Sequence, residues 1–308
     1  MRAQIDVVIP AFNAKAYLTE TLQSVAQQGE VLAQIILVND GSTDHTAACV
    51  HQFAAAHPQM NIVLVEQANL GLSAARNTGI RKSTAPYIAF LDADDLWQAH
   101  KLDTQLQLFL SSIDPKLGVV YTGYSLISES SAPLSANTRL VAPKVRGDVY
   151  QALLRGNFIS GSGSSVLIKR EVLDAVGGFD EKLHASEDWD MWLRIARQFH
   201  FDFVDKPLVA IRVHAKNMQK DRLRMLSAEL MLLNKLTQMQ TGNDFLLWKI
   251  RTILVEQKIT ATQIPGFDEC NPRLQKQLTG PAMQLSKILL TPLQYLAKAY
   301  LAYQKQVR

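Results

Sequence analysis

Short apolar runs alternate with helical patterns along the first half of the chain. Four runs have the length of strands: IDVVIP, QIILVND, NIVLVEQ and YIAFLDA. Each precedes a stretch with helical spacing of apolar residues, over 14–27, 44–57, 72–82 and 98–110 in turn. This alternation predicts an α/β fold, a mostly parallel Rossmann-like sheet flanked by helices. Ligand-binding residues are then expected at the carboxyl ends of the strands.

The pattern changes after residue 117. The segments GVVYTGYSLIS and SSVLIKR predict further strands, and 187–199 has the spacing of an amphipathic helix. Between the two strands, 129–143 is rich in Ser, Pro and Ala and predicts a surface loop. From 219 onwards the chain is rich in Leu, Met, Gln and Lys and has no strand pattern. We therefore predict one α/β domain over 1–218 and a helical C-terminal region over 219–308.

Composition and charge narrow the class of protein. With 308 residues, 47% of them hydrophobic, the chain can bury a sizeable core, which excludes a disordered tail. The two cysteines, Cys49 and Cys270, lack metal-site spacing and are expected to be reduced thiols. The net charge of +4 suits anionic partners such as nucleotide phosphates or an acidic membrane surface. Neither a secretory signal nor a run of about 18 apolar residues is visible, so a cytoplasmic location is expected.

Three acids, Asp92, Asp94 and Asp95, directly follow a run that predicts a buried strand. Burying unpaired carboxylates is costly, and clustering them adds repulsion unless a cation compensates. Asp92 and Asp94 share one side of an extended chain, and the small Ala93 between them lets a ligand approach. Oxygen ligands with no His or Cys beside them suit Mg²⁺ or Mn²⁺ better than zinc. The alternative is an acidic strand end in which Asp94 or Asp95 caps the following helix.

Two further segments carry polar residues where a strand meets a helix. In VNDGSTD, Asp40 can accept hydrogen bonds from a nucleobase, or the segment is simply a well-capped junction. In GLSAARNTGI, Arg76 can pair with phosphates or with the acids, or can form a structural ion pair. The succession of these junctions in one chain is more informative than any of them alone.

Seven segments together resemble glycosyltransferase family 2, whose members are inverting enzymes with the GT-A fold. They are VVIPAFNA, VNDGSTD, NLGLSAARNTGI, YIAFLDADD, VGGFDE, SEDWDMWLR and AIRVHAKNMQ, in that order. The resemblance extends from residue 7 to residue 219 and does not include the helical region. It implies that 1–218 is a GT-A catalytic domain that uses a nucleotide-sugar donor.

The resemblance assigns donor-binding roles position by position. It implies that the donor contacts Pro10, Phe12, Asn13, Asp40, Arg76, Asp92, Ala93 and Asp94. Asp40 would face the base, Arg76 would approach the base or the phosphates, and Asp92 would lie near the ribose. Asp94 would bind a Mn²⁺ or Mg²⁺ ion that bridges the diphosphate. Family members often have two acids where this chain has Asn39 and Asp40, and the acid expected at the base is retained.

Inverting transfer also needs one carboxylate that removes the proton of the acceptor hydroxyl. The resemblance makes Asp188 that base and places Glu187 beside an acceptor or donor hydroxyl. The alternative is an amphipathic helix whose first turn is acidic, as the helix dipole favours. His214 matches a position where family members often have a histidine near the metal, although a histidine at a strand end can be structural. Arg212 is expected to help neutralise the leaving group.

Two loops are candidates for the walls of the acceptor site. One is 129–143, and the other is NFISGSGSS over 157–165. Glycines allow close backbone approach, and the serines, among them Ser164, offer hydroxyl groups to a sugar. The alternative is a flexible connection with no role in binding.

The end of the chain has an amphipathic pattern over 283–308. On a helical wheel one side carries apolar residues and the other carries lysines: Leu285, Ile288, Leu289, Leu293, Leu296 and Tyr300 against Lys287, Lys298 and Lys305. The pattern predicts either a helix in the plane of an anionic membrane surface or a helix packed on the protein itself.

The resemblance implies a metal-dependent transfer of a hexosyl or N-acetylhexosaminyl group in cell-surface polysaccharide synthesis. The missing membrane-spanning runs favour addition of a single sugar over processive synthesis. The donor is expected to be UDP-linked, the acceptor a saccharide or lipid-linked saccharide, and no nucleic-acid partner is expected. The location is expected to be the cytoplasm or, through 283–308, the inner face of the membrane. The alternative is a non-catalytic nucleotide-sugar-binding subunit of a membrane-associated assembly, which donor hydrolysis or transfer would exclude.

Overall fold

The computed structural model describes residues 5–134, 141–159, 163–215, 217, 221–238, 244–257 and 260–279. The chain divides into two compact units, Met1–Lys220 and Asp221–Arg308. Each unit has its own secondary structure, and the first contains the sheet.

The first unit is built on an eight-stranded mixed sheet. In chain order its strands are β1 Ile5–Ala11, β2 Leu32–Asp40, β3 Ile62–Gln67, β4 Tyr87–Phe90, β5 Leu96–Trp97, β6 Leu117–Ile127, β7 Leu167–Lys169 and β8 His200–Arg212. Their order across the sheet is β3-β2-β1-β4-β7-β6-β8-β5. The first four strands in that order are parallel, β7 is antiparallel to both its neighbours, and β6 is parallel to β8. The prediction of a Rossmann-like sheet flanked by helices is confirmed.

Among the described residues of this unit, seven α-helices accompany the sheet: α1 Leu18–Ala26, α2 Thr46–Ala56, α3 Leu72–Lys82, α4 Lys101–Ser111, α5 Tyr150–Leu154, α6 Arg170–Val176 and α7 Glu187–Ala196. Alternate side chains of a strand point to opposite faces. Val7 and Ile9 of β1 belong to a core shared with α1, α2 and α4. Val8 faces α3, where a Cβ atom at Gly79 would lie 2.2 Å from the valine side chain. The glycine therefore allows α3 to approach β1 closely.

Three of the four predicted helices begin later than the sequence pattern indicates, among them α1 at Leu18 instead of residue 14 and α2 at Thr46 instead of residue 44. Helix α3 has the predicted bounds, whereas α4 begins at Lys101 instead of residue 98. The start differs because the backbone N–H of Gln98 donates to the carbonyl of Leu208 in β8, at 2.9 Å. Pairing with a strand far along the chain therefore takes up the first residues of the predicted helix.

The second unit is helical over its described residues, as the composition predicts. It contains α8 Arg222–Gln238, α9 Asp244–Gln257 and α10 Pro272–Thr279. Its buried side chains are mainly aliphatic, among them Leu230, Leu233, Ile250 and Leu274. Over the residues described, we find no helix with the length and apolar character needed to cross a bilayer. The amphipathic segment 283–308 lies outside the described residues.

Candidate active site

Asp95 anchors the acidic loop that follows β4. Its Oδ1 accepts from the backbone N–H of Arg212 at 3.0 Å, and its Oδ2 accepts from the Ser164 hydroxyl at 2.7 Å. Asp95 is 3% exposed, and burial and the neighbouring Asp94 and Asp92 raise its pKa well above the usual range. No side-chain hydrogen bond caps α4, so the capping alternative is wrong. The residue stabilises the loop from inside the protein.

Ser164 connects this loop to the segment before β7. Its buried hydroxyl donates to Asp95 and accepts from the backbone N–H of Asp92 at 3.1 Å. The hydroxyl is thus engaged within the protein, and its predicted contact with a sugar stays a prediction. Ala93 is 8% exposed, and its carbonyl accepts from the Thr21 hydroxyl at 3.0 Å. These bonds set the path of the chain between the carboxylates.

Asp94 and His214 form a hydrogen-bonded pair at the edge of this loop. Asp94 Oδ2 and His214 Nε2 are 2.7 Å apart, with side chains 28% and 12% exposed. The His214 ring stacks on Tyr17, with ring centroids 5.3 Å apart. A carboxylate and an imidazole can together bind a divalent cation. Among the described residues there is no group of three His, Cys, Asp or Glu that could bind a metal, so these two fit only a site completed by a ligand.

Arg212 holds several loops together beneath this pair. Its buried guanidinium group donates to five acceptors at 2.8–3.2 Å: the carbonyls of Asp94, Ser128 and Glu129, the Ser131 hydroxyl and the Glu20 carboxylate. These contacts attach residues 128–131, where the predicted surface loop begins, to the acidic loop. Arg212 is therefore engaged within the protein, and its predicted contact with a leaving group stays a prediction.

Arg76 bridges the acidic loop and helix α7. Its fully buried side chain donates from Nη2 to Asp92 Oδ1 and from Nη1 to Glu187 Oε1, both at 2.7 Å. Burial alone would lower the pKa of Arg76, but the two carboxylates outweigh it and raise that pKa. Burial raises the pKa of Asp92 to about 6, with Asp94 adding to the rise and Arg76 opposing it. The structural ion pair is formed, and contact of Arg76 with a donor stays a prediction.

Asp188 lies at the start of α7, beside the buried Glu187. Its Oδ1 accepts from the Trp189 N–H at 2.7 Å, and its Oδ2 accepts from Asn157 Nδ2 at 3.1 Å. Burial raises the pKa of Asp188 to about 7, and the charge of Glu187 adds to the rise, whereas Arg76 opposes it. A carboxylate with a pKa near neutrality can both accept and release a proton at physiological pH. We call Asp92, Asp94, Asp95, Glu187 and Asp188 the acid cluster.

Asp40 organises a second region, at the carboxyl ends of β2 and β3. Its carboxylate is 3% exposed and accepts three hydrogen bonds, from Gln67 Nε2 at 2.7 Å and from the backbone N–H groups of Leu70 and Gly71 at 2.9 and 2.8 Å. Gly41 follows with φ +73°, and a Cβ atom there would lie 2.7 Å from the backbone nitrogen of Asn69, in the loop after β3. Only glycine fits this turn without displacement.

Asn13 joins the loop after β1 to the turn after β2. Its Oδ1 accepts from the backbone N–H groups of Thr43 and Asp44 at 2.8 and 3.3 Å, and its own N–H donates to the Ser42 hydroxyl at 2.9 Å. Pro10 is buried in β1, whereas the Phe12 ring is 51% exposed. We call residues 12–15, 40–46 and 67–71 the strand-end loops. Contact of these residues with a nucleotide stays a prediction.

The VGGFDE segment has a structural role that the sequence did not reveal. Asn77 of α3 accepts from the Phe179 N–H at 2.7 Å and donates to the Phe179 carbonyl at 2.9 Å. Gly178 is required because a Cβ atom there would lie 2.3 Å from Asn77 Oδ1. The clamp holds the Phe179 ring 5.1 Å from the guanidinium carbon of Arg76. The sequence feature that could have indicated this contact is an asparagine in α3 together with a glycine directly before Phe179.

The fold and these carboxylates at the ends of its strands define a glycosyltransferase of the GT-A class. The profile of the family described as glycosyltransferase like family 2 matches residues 6–239. The chain belongs to that family, as the sequence motifs indicated, and it is an enzyme of the glycosyltransferase class.

Similar proteins agree with this assignment. An uncharacterized glycosyltransferase of Rickettsia prowazekii (strain Madrid E) is 28% identical over 225 residues, 72% of this chain and 68% of that protein. WfgD of Escherichia coli, described as a UDP-Glc:alpha-D-GlcNAc-diphosphoundecaprenol beta-1,3-glucosyltransferase, is 27% identical over 194 residues, 63% of this chain and 70% of that protein. The chain spans between 31% and 68% of the length of the Rickettsia relatives that it matches.

A solved structure shares the fold. The mannosyltransferase PcManGT of Pyrobaculum calidifontis, in complex with GDP-Man and Mn²⁺, superposes with a TM-score of 0.58 over 99% of this chain and 84% of that one. Its sequence is 20% identical to this chain, a likeness that supports the fold alone.

Proposed function

We propose that the protein is an inverting glycosyltransferase that moves a single sugar from a nucleotide-sugar donor to a saccharide or lipid-linked saccharide. One observation carries the proposal. Arg76 links the acidic loop, which includes Asp94, to the start of α7, which carries a base candidate, Asp188, with a pKa of about 7. A site for an anionic donor and a site for proton removal are thus joined through one buried cation.

In the proposed reaction the acceptor hydroxyl attacks the anomeric carbon of the donor sugar. Asp188 takes the hydroxyl proton as the new C–O bond forms, and the nucleoside diphosphate leaves from the opposite face with the electrons of the broken bond. A base works best when its pKa lies near the operating pH, and the pKa of Asp188 meets this condition. Glu187 is bound to Arg76 at 2.7 Å and keeps the start of α7 beside the donor site.

Asp94 and His214 are proposed to hold a divalent cation together with the donor diphosphate. Such a cation would neutralise negative charge on the diphosphate when it is bound. The 2.7 Å Asp94–His214 contact and the partial exposure of both side chains support the assignment. The complex of PcManGT with Mn²⁺ supports a divalent cation, Mn²⁺ or Mg²⁺, as the proposed cofactor.

The donor and acceptor classes rest on the relatives. WfgD uses UDP-Glc and a lipid diphosphate acceptor, which supports a UDP-linked donor and a role in cell-surface polysaccharide synthesis. PcManGT binds GDP-Man, so the nucleotide must be tested directly. Asp40, already holding the loop at Leu70 and Gly71, is proposed to lie at the base, with the exposed Phe12 ring beside it.

The segment 283–308 is proposed to contact an anionic membrane surface, on its sequence pattern alone. The test is co-sedimentation with phosphatidylglycerol-containing vesicles. A variant in which Leu285, Leu289 and Leu293 are all replaced by Ser should lose vesicle binding. If it binds as well as the parent protein, the membrane proposal is wrong.

The first experiment on activity is a panel of UDP-, GDP- and dTDP-sugars, with and without Mn²⁺. Thermal unfolding reports binding, and release of the nucleoside diphosphate reports turnover. We expect a UDP-sugar to raise the melting temperature only when Mn²⁺ is present, and to be hydrolysed slowly without an acceptor. The Asp94→Asn variant should lose the Mn²⁺-dependent part of this shift. No metal-dependent response to any donor would overturn the proposed function.

A further inference from the structure

Asn157 lies against the start of α7 although it belongs to a different part of the chain. It follows α5, and α5 is bound to α7 by a hydrogen bond from Trp189 Nε1 to the Leu153 carbonyl at 2.8 Å. A second bond between the same two segments runs from Asn157 Nδ2 to Asp188 Oδ2 at 3.1 Å. Two contacts therefore fix the position of this asparagine relative to the acid.

The orientation of the Asn157 amide is determined by its other neighbour. The backbone N–H of Ile159 donates to Asn157 Oδ1 at 3.2 Å. Since a backbone N–H can donate only to the oxygen of the amide, the Nδ2 group must be the end that faces Asp188. The amide is therefore presented as a donor to the carboxylate.

We propose that Asn157 is a positioning residue for Asp188, which holds the carboxylate in the orientation that presents a lone pair to the acceptor hydroxyl. The inference rests on the proposed function of Asp188 as the base. Oδ1 accepts from the Trp189 N–H and Oδ2 accepts from Asn157, so the two bonds together fix the plane of the carboxylate while each oxygen keeps a lone pair for an incoming proton. Without Asn157 the carboxylate could rotate about its Cβ–Cγ bond.

The same hydrogen bond stabilises the ionised form of Asp188. The other charged groups that act on this carboxylate are Glu187, its neighbour on α7, which raises the pKa, and Arg76 on α3, which lowers it. Asn157 acts in the same direction as Arg76. Removing the amide should therefore raise the pKa of Asp188 and move the acid limb of the activity profile to higher pH.

The test compares Asn157→Ala, the isosteric Asn157→Asp and a matched control, Asn61→Ala. Asn61 is exposed, immediately before β3, so its loss tests asparagine removal outside the site. Two readouts are needed: the Asp188 titration by carboxyl-carbon NMR, with the signal assigned from Asp188→Asn, and kcat and the donor KM across pH. Thermal unfolding confirms that each variant is folded.

We expect Asn157→Ala to raise the Asp188 midpoint by about one pH unit and to lower kcat about tenfold near neutrality, with the donor KM unchanged. Asn157→Asp should raise the midpoint further, because it adds a negative charge and removes the donor. Asn61→Ala should match the parent protein. An unchanged NMR midpoint in both Asn157 variants overturns the inference. A shifted midpoint in a protein that transfers no sugar would leave the contact established and the proposed function wrong.

Discussion

The strand-end loops and the acid cluster differ in the hydrogen-bond partners and in the pKa values of their carboxylates. In the loops, Asp40 accepts three hydrogen bonds from neighbouring amide groups. In the acid cluster, Arg76 serves two carboxylates, and burial raises the pKa of Asp92 to about 6 and of Asp188 to about 7. Uncharged donors surround the carboxylate of Asp40. In the cluster five carboxylates lie near one another, and Arg76 is bonded to two of them.

This difference distinguishes the region that shapes the binding site from the region that carries the reactive groups. Neutral donors around a single acid hold a loop in place at little electrostatic cost. Clustered buried acids are costly to keep ionised, and such shifted pKa values concentrate where a cation or a proton is exchanged. The comparison predicts that changes in the cluster alter turnover and cost the most stability, whereas changes in the loops cost less stability and weaken donor binding.

The largest effect is expected from Asp188→Asn. The amide has the same shape but cannot take a proton, so kcat should fall about a thousandfold. Stabilisation by donor and Mn²⁺ should be retained, and single-turnover transfer assays would measure the loss. Asp174→Asn on the exposed side of α6 is the matched control. Turnover by Asp188→Asn equal to that of the control would contradict the assignment of the base.

The next effect concerns stability and the buried cation. Arg76→Met leaves Asp92 and Glu187 without their shared partner and should lower the free energy of unfolding by about 3–5 kcal/mol. Urea denaturation measures this loss, with Arg81→Met as the control, since Arg81 lies on the same helix and is exposed. Equal losses in the two variants would show that the ion pairs do not hold the cluster together.

The pH dependence gives a smaller, graded effect. The base must be ionised, so kcat should rise about tenfold per pH unit below the pKa of Asp188 and level off above about pH 7. Asp188 has a raised pKa, so the active form is lost as pH falls through that value. Transfer rates between pH 5 and pH 9 measure the midpoint. A midpoint near 4, the ordinary range for a carboxylic acid, would contradict the role of burial.

The smallest effect is expected in the strand-end loops. Gly41 and Gly29 both have φ +73°, but only at Gly41 does an added Cβ meet the backbone, at 2.7 Å, whereas nothing lies within 4 Å at Gly29. Gly29→Ala should lower the free energy of unfolding by about 1 kcal/mol, from strain alone. Gly41→Ala should cost about 2 kcal/mol and weaken donor binding. Equal losses and unchanged donor affinity would show that the loop adapts.

Much of the fold was predictable because its helices and strands depend on residues that are close together in the sequence. The bounds of α3 follow from apolar spacing between Gly71 and Ser83, and the four parallel strands follow from short apolar runs. The start of α4 was predicted too early because the competing partner of Gln98 lies in β8. Local patterns cannot report a backbone hydrogen bond to a strand more than a hundred residues away.

The sequence by itself determined the class of fold and the positions of the acidic residues, because motif order and strand–helix alternation are properties of neighbouring residues. It left open whether Arg76 binds phosphate or forms an ion pair. Tertiary structure places Arg76 in ion pairs with Asp92 and with Glu187, which lies 111 residues further on, and its contact with a donor stays a prediction. Likewise, the contacts of Asp95 with Ser164 and of Asp188 with Asn157 arise only when separate segments are folded against each other. The sequence therefore identifies the reactive groups. Their pKa values and orientations depend on burial and on neighbours that only the folded chain provides.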